Sequence, residues 1–182
     1  MKRPTSTPSV LGINRTTDAS ISLLRGNQPV FSIAKERLTR NKLTEGILLG
    51  NLGDSLLHLK RMDEAQQVLR QAIVICEESL PLATGAFRGS LACLLAQQDQ
   101  FDEAQGMLNM GEPMVKPRAD EHAKFLARKS QVQCLAGNAA GARESLAAAR
   151  SIAEELHLTD GGEVAQTILA SEDMLDAGSR QK

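Results

Sequence analysis

Three stretches of this chain answer one another at nearly constant spacing. KRMDEAQQVLRQA (60–72) is echoed by DQFDEAQGMLNMG (99–111) and by GNAAGARESLAAA (137–149). A small residue stands at Ala65, Ala104 and Ala142, at intervals of 39 and 38 residues. Four residues on, each copy has a leucine: Leu69, Leu108 and Leu146. Three further on stands a second small residue: Ala72, Gly111 and Ala149. Self-similarity with a period of about 20–50 residues marks a chain built from stacked supersecondary units. Small side chains let two helices approach, and the leucine fills the space between them.

The apolar pattern within a unit is helical. Leu52, Leu56, Leu57 and Leu59 recur along GNLGDSLLHL, and Ala65, Val68, Leu69, Ala72, Ile73 and Ile75 along EAQQVLRQAIVI. Both fit one buried helix face, and the polar KRMDE splits them. Asp63 suits an N-cap or a first-turn acid. Each unit therefore reads as an antiparallel helix pair. First helices are expected at about 45–59, 83–97 and 119–136, and second helices at about 62–79, 101–115 and 139–156. Pro81, Pro113 and Pro117 fall at the boundaries or in the connector, where a missing N–H costs least. A last helix, capped by Thr159 or Asp160, would turn Val164, Ile168, Leu169 and Leu175 inward and close the stack.

LGDSLLHLKRMDEAQQVLRQAI resembles the tetratricopeptide repeat family. Leu52 and Gly53 fit its first helix, and Ala65, Leu69 and Ala72 its second. The second copy keeps Leu91, Ala92, Leu95, Ala104 and Leu108. The third has Ser130 where glycine or alanine is usual. The period exceeds the usual ~34 residues of the family, as in its extended-helix variants. The resemblance covers residues 45–157. It implies an all-α superhelix of three helix pairs plus a capping helix, behind a short β-type N-terminal segment.

Residues 1–44 have another grammar. They hold eight Lys and Arg against two acids, whereas residues 45–182 hold thirteen against twenty. The expected division is therefore 1–44 and 45–182. VLGIN, ASISLL and PVFSIA are strand-like runs separated by the turn-forming NRTTD and RGNQ, a three-stranded meander leading into KERLTR. Leu11-Gly12-Ile13, Asp18-Ala19-Ser20, Gly26, Glu36-Arg37, Arg40 and Lys42 resemble the N-terminus of the NodU-type O-carbamoyltransferases, over residues 10–42. That family's histidine is here Thr17, which has no imidazole to bind metal or shuttle a proton. The remaining nucleotide cleft would have to come from residues that spell helical repeats. The resemblance thus implies a truncated or fused relative that keeps only the first hairpin of a carbamoyl-transfer domain.

Chemistry-bearing patterns are sparse. No glycine-rich loop is followed by Lys-Ser/Thr, and no Ser/His/Asp spacing singles out a nucleophile. His58, His122 and His157 are isolated, and Cys76, Cys93 and Cys134 form no CxxC, so neither a metal nor a cofactor is expected. Three scattered cysteines read as packing thiols of a reducing compartment, which makes the expected location cytoplasmic. The absence of Trp and Tyr disfavours a base-stacking nucleic-acid surface. No apolar run reaches the ~20 residues of a membrane span. Met107, Met110 and Met114 suit core packing, with a soft partner-binding stripe as the alternative.

What remains is shape. In stacked helix pairs the first helices line a concave face suited to peptides. Outward polar residues on those helices are Asn51, Asp54, His58, Arg88, Gln97, Lys124, Arg128 and Gln131. The expected function is a non-catalytic interaction module that grips a peptide or protein partner there, with no catalytic residue.

Overall fold

In a computed structural model of the chain, residues 9–14, 20–25, 28–158 and 161–179 are described. Contacts divide the chain into two compact units, residues 1–45 and 46–182. In the first, strands β1 (Ser9–Asn14), β2 (Ser20–Arg25) and β3 (Gln28–Ala34) form an antiparallel sheet in the order β1-β2-β3. Leu11 pairs with Leu23, and Leu23 with Phe31, beside an irregularity at Leu23/Leu24. Residues 15–19 and 26–27 lie outside the described residues, and with them Thr17, Asp18 and Gly26.

Helix α1 (Lys35–His58) follows β3 directly. It begins well before the expected residue 45. KERLTRNKLTE contains neither proline nor glycine, so nothing in it stops a helix from propagating back to the strand. The other helices are α2 (Met62–Cys76), α3 (Pro81–Gln97), α4 (Phe101–Val115), α5 (Ala119–Leu135), α6 (Ala139–Glu155) and α7 (Glu163–Ser179). The all-α repeat of three pairs and a terminal helix is borne out. Pro81 opens α3 and Pro117 lies in a connector, but Pro113 is inside the last turn of α4. Thr159 and Asp160, the expected caps of α7, lie outside the described residues.

The turn inside each pair is the same device three times. Lys60, Asp99 and Gly137 take positive φ (60°, 60° and 77°). Each donates its N–H three residues back, and the next N–H reaches five back: Arg61 to Leu56, Gln100 to Leu95 and Asn138 to Gln133. This paired bonding satisfies carbonyls orphaned at the helix end. The residue after the turn is also the N-cap of the second helix. Arg61 and Gln100 offer no side-chain cap, whereas Asn138 accepts from the Gly141 N–H at 3.0 Å. Asp63 is accordingly a first-turn acid and not the cap.

The repeat's small residues are where packing is tightest. Ala65, Ala104 and Ala142 are fully buried, as are Leu69, Leu108, Ala72 and Ala149, with Leu146 nearly so. A second small-residue pattern, on the first helices, completes the stack. Gly46, Gly50 and Gly53 recur as Gly85, Gly89 and Ala92, then as Ala123, Ala127 and Ser130. All nine are buried. Each of the first two rows receives a phenylalanine from the next repeat. A methyl at Gly50 would overlap the ring of Phe87, and one at Gly89 would stand 2.9 Å from Phe125 Cδ2. The core thus runs continuously through Leu69, Phe87, Leu91, Leu95, Leu108 and Phe125.

Some expected core positions fall elsewhere. Leu52 and Leu59 are exposed, because the glycines of α1 and Leu56 make the buried face instead. On α7, Val164, Ile168 and Leu175 point inward as expected, but Leu169 is 58% exposed, and Ala165 and Ser171 are buried. Ser171 locks α7 to α5. Its hydroxyl lies 2.9 Å from the Ala127 carbonyl and accepts from Gln131 Nε2 at 3.1 Å. The methionines divide. Met107 packs on the core, Met114 lies beside Arg88 and Met110 is exposed. Cys76, Cys93 and Cys134 are free thiols, the first two buried.

Candidate functional site

Two adjoining hollows of about 500 Å³ and about 340 Å³ run along the inner side of the helical unit. The walls come from α1, α3, α5 and α7, one helix from each pair plus the terminal helix. The smaller hollow has an apolar floor made by Ile47, Leu82, Ala83, Ala86 and Phe87. The larger is more polar, with Ser90, Gln97, Gln131, Gln166 and Thr167 on its walls. Asp54, Arg128 and Glu163 border both, so the hollows are two compartments of one groove.

Charges that face the groove are largely matched within it. Lys124 Nζ sits 2.7 Å from Glu121 Oε1 and 3.0 Å from Glu163 Oε2, which ties α5 to α7. Burial pulls the Lys124 ammonium down, but the hydrogen bonds it donates to the two carboxylates outweigh this and hold its pKa above the ordinary value. Arg128 reaches past α3 to Asp54 Oδ2 on α1, at 3.5 Å. The other oxygen, Asp54 Oδ1, is buried without a hydrogen-bond partner among the described residues. Beneath them Cys93 Sγ lies 3.6 Å from the Arg128 carbonyl. Burial pushes its thiol up to about 11, against the pull of Arg128 and with help from Asp54. A thiol so raised is protonated and a poor nucleophile. Among the described residues no group of His, Cys, Asp and Glu could hold a metal ion, and no helix is long and apolar enough to cross a membrane.

Asn51, Asp54, His58, Gln97, Lys124, Arg128 and Gln131 all line the groove. Arg88 does not. It is only 6% exposed and turns away from the groove, with Nη2 2.5 Å from Glu77 Oε1 and Nη1 3.2 Å from Met114 Sδ. Its place on a first helix suggested an outward position, but α3 is the central helix of the stack and is buried over most of its surface. A guanidinium can lie there because its carboxylate partner arrives from the end of α2.

Sequence reasoning missed the contribution of α7. Glu163, Gln166, Thr167, Ala170, Asp173 and Met174 line the groove at one-face helical spacing. A signal for this was present. Ala165 stands 38 residues after Ala127, the interval of the earlier repeats, although Ile168 stands where Ser130 would recur. Helix α7 takes the place of a fourth first helix, and its polar face extends the wall.

Residues 44–116, which span the first two helix pairs, match a family model described as tetratricopeptide repeat. No curated protein and no solved structure matches the chain significantly. Nothing in these comparisons supports the resemblance of residues 10–42 to O-carbamoyltransferases. Repeats of the matched family generally mediate contacts between proteins. Over residues 44–116 this chain is similar to the tetratricopeptide repeat family, and its helical unit is a tetratricopeptide-like repeat fold.

Proposed function

We propose that the chain is a non-catalytic interaction module that takes a peptide or protein partner into the groove of its helical unit. One observation carries this reading. Helices α1, α3, α5 and α7 jointly wall two connected hollows with one apolar floor and one polar wall. An extended peptide alternates apolar and polar demands in the same way. A groove walled by packed helices would be largely formed before binding, so little of the binding energy would go to ordering it. On this reading the protein acts in the cytoplasm, where Cys76, Cys93 and Cys134 stay reduced.

Photo-crosslinking tests the assignment. A photoreactive side chain is placed at Asn51 or Gln97, which face the groove, or at Val74, which is 74% exposed on α2. The full chain is expected to capture the same partner from Asn51 and Gln97 and not from Val74. Capture from Val74 alone would reject the groove.

A further inference from the structure

The two hollows differ in what they ask of an occupant, and the difference defines a chemistry. Both groove-facing cations on α5 have carboxylate partners. Lys124 has two carboxylates, and Arg128 has Asp54. An acidic ligand would have to displace those carboxylates before it gained anything. The carboxylates are less well served. Asp54 has one buried oxygen with no partner, and the other meets Arg128 only at 3.5 Å. A buried acceptor without a donor is costly, so a donor that reaches it is rewarded. Asp173 on α7 faces the larger hollow and makes no ion pair among the described residues. His58 and Lys60 stand on the rim of the same hollow, at the end of α1 remote from the apolar floor. Asp54 borders the apolar hollow as well, so a ligand seated there has this carboxylate beside it.

We propose that the groove recognises an extended peptide segment with a large apolar side chain next to a lysine or arginine. The apolar side chain fills the hollow floored by Ala86 and Phe87, and the cation is taken by Asp54. The inference rests on the groove reading above and adds the partner's chemistry to it. The occupant therefore completes an ion-pair set that the free protein leaves short.

The probe is a library of random peptides displayed on phage, panned against the full chain. Expected is enrichment of Lys or Arg beside Leu, Ile, Phe or Met. A synthetic peptide of the enriched sequence should lose about tenfold or more in affinity with Asp54→Asn, which removes the charge and keeps the shape. Asn51→Trp, an exposed residue on the wall of the apolar hollow, should abolish binding without unfolding the chain, as checked by its melting curve. Two outcomes would overturn the basic-peptide inference and leave the groove standing. One is enrichment of acidic peptides whose binding is still blocked by Asn51→Trp. The other is affinity unchanged by Asp54→Asn. Binding indifferent to Asn51→Trp would overturn the groove reading itself, and recovery of no specific peptide would count against both.

Discussion

At the residue scale, the side chain with the sharpest environment outside the groove is His122. Burial lowers its pKa from the ordinary 6.5, and the cations Lys116 and Lys129 add to this, whereas Glu112 opposes it. Its Nε2 lies 3.9 Å from Glu112 Oε1, too far for a hydrogen bond. The folded chain thus resists a proton that the unfolded chain accepts. The contribution to stability is complete above about pH 6.5 and is lost as pH falls through the lowered folded value. Asp120 is also held below its ordinary 3.8, chiefly by the Arg118 hydrogen bond, but its contribution fades only at more acid pH. The two windows are separable. His122→Gln should flatten the fall in melting temperature between pH 7 and 5, a range set by the ordinary histidine pKa of about 6.5, and leave the steeper loss below it. An unchanged profile would show that His122 titrates as it does in the unfolded chain. None of this was legible in the sequence, where His122 is one of three isolated histidines. Its desolvation comes from α4 and α5 packing together, which spacing along one helix does not reveal.

At the scale of the element, what holds the stack is where side chains are missing. The alanines at 65, 104 and 142 were legible because they recur in aligned segments. The glycine, alanine and serine rows of the first helices recur just as regularly, but glycines inside a helical pattern suggest weakness before they suggest contact. Their meaning appears only when Phe87 and Phe125 are seen seated on Gly50 and Gly89. Two substitutions separate propensity from packing. At Gly106 a methyl would meet none of the described residues within 4 Å, whereas at Gly85 it would stand 2.8 Å from the Gly111 carbonyl oxygen of α4. Gly106→Ala should stabilise the protein by about 0.5–1 kcal/mol through helix propensity alone. Gly85→Ala gains the same propensity but forces two backbones apart, so the net should be a loss of about 1–3 kcal/mol. Denaturant melts read both. A stabilised Gly85→Ala would mean that α3 and α4 do not approach closely. Helix ends were less legible than helix middles. The start of α1 was missed because no residue before Lys35 punctuates it, and Leu169 was turned the wrong way because α7 was read as a lid and not as a further first helix.

At the scale of the whole helical unit, the groove follows from those close approaches. Small faces bring α1, α3, α5 and α7 near enough for Arg128 to span α3 and reach Asp54, and for Lys124 to hold Glu163. Seven of the eight groove residues expected from sequence line it. Polar outward positions on first helices are readable wherever the helix is flanked by solvent. Arg88 failed because α3 is wrapped by α2, α4 and α5, which leaves it no outward face on that side. Amide hydrogen exchange on the full chain, free and saturated with a bound partner, tests the groove most directly. The account predicts slowed exchange at the groove-lining positions of α1, α3, α5 and α7, and unchanged exchange along the exposed faces of α2, α4 and α6. Slowing confined to α2, α4 and α6 would contradict it.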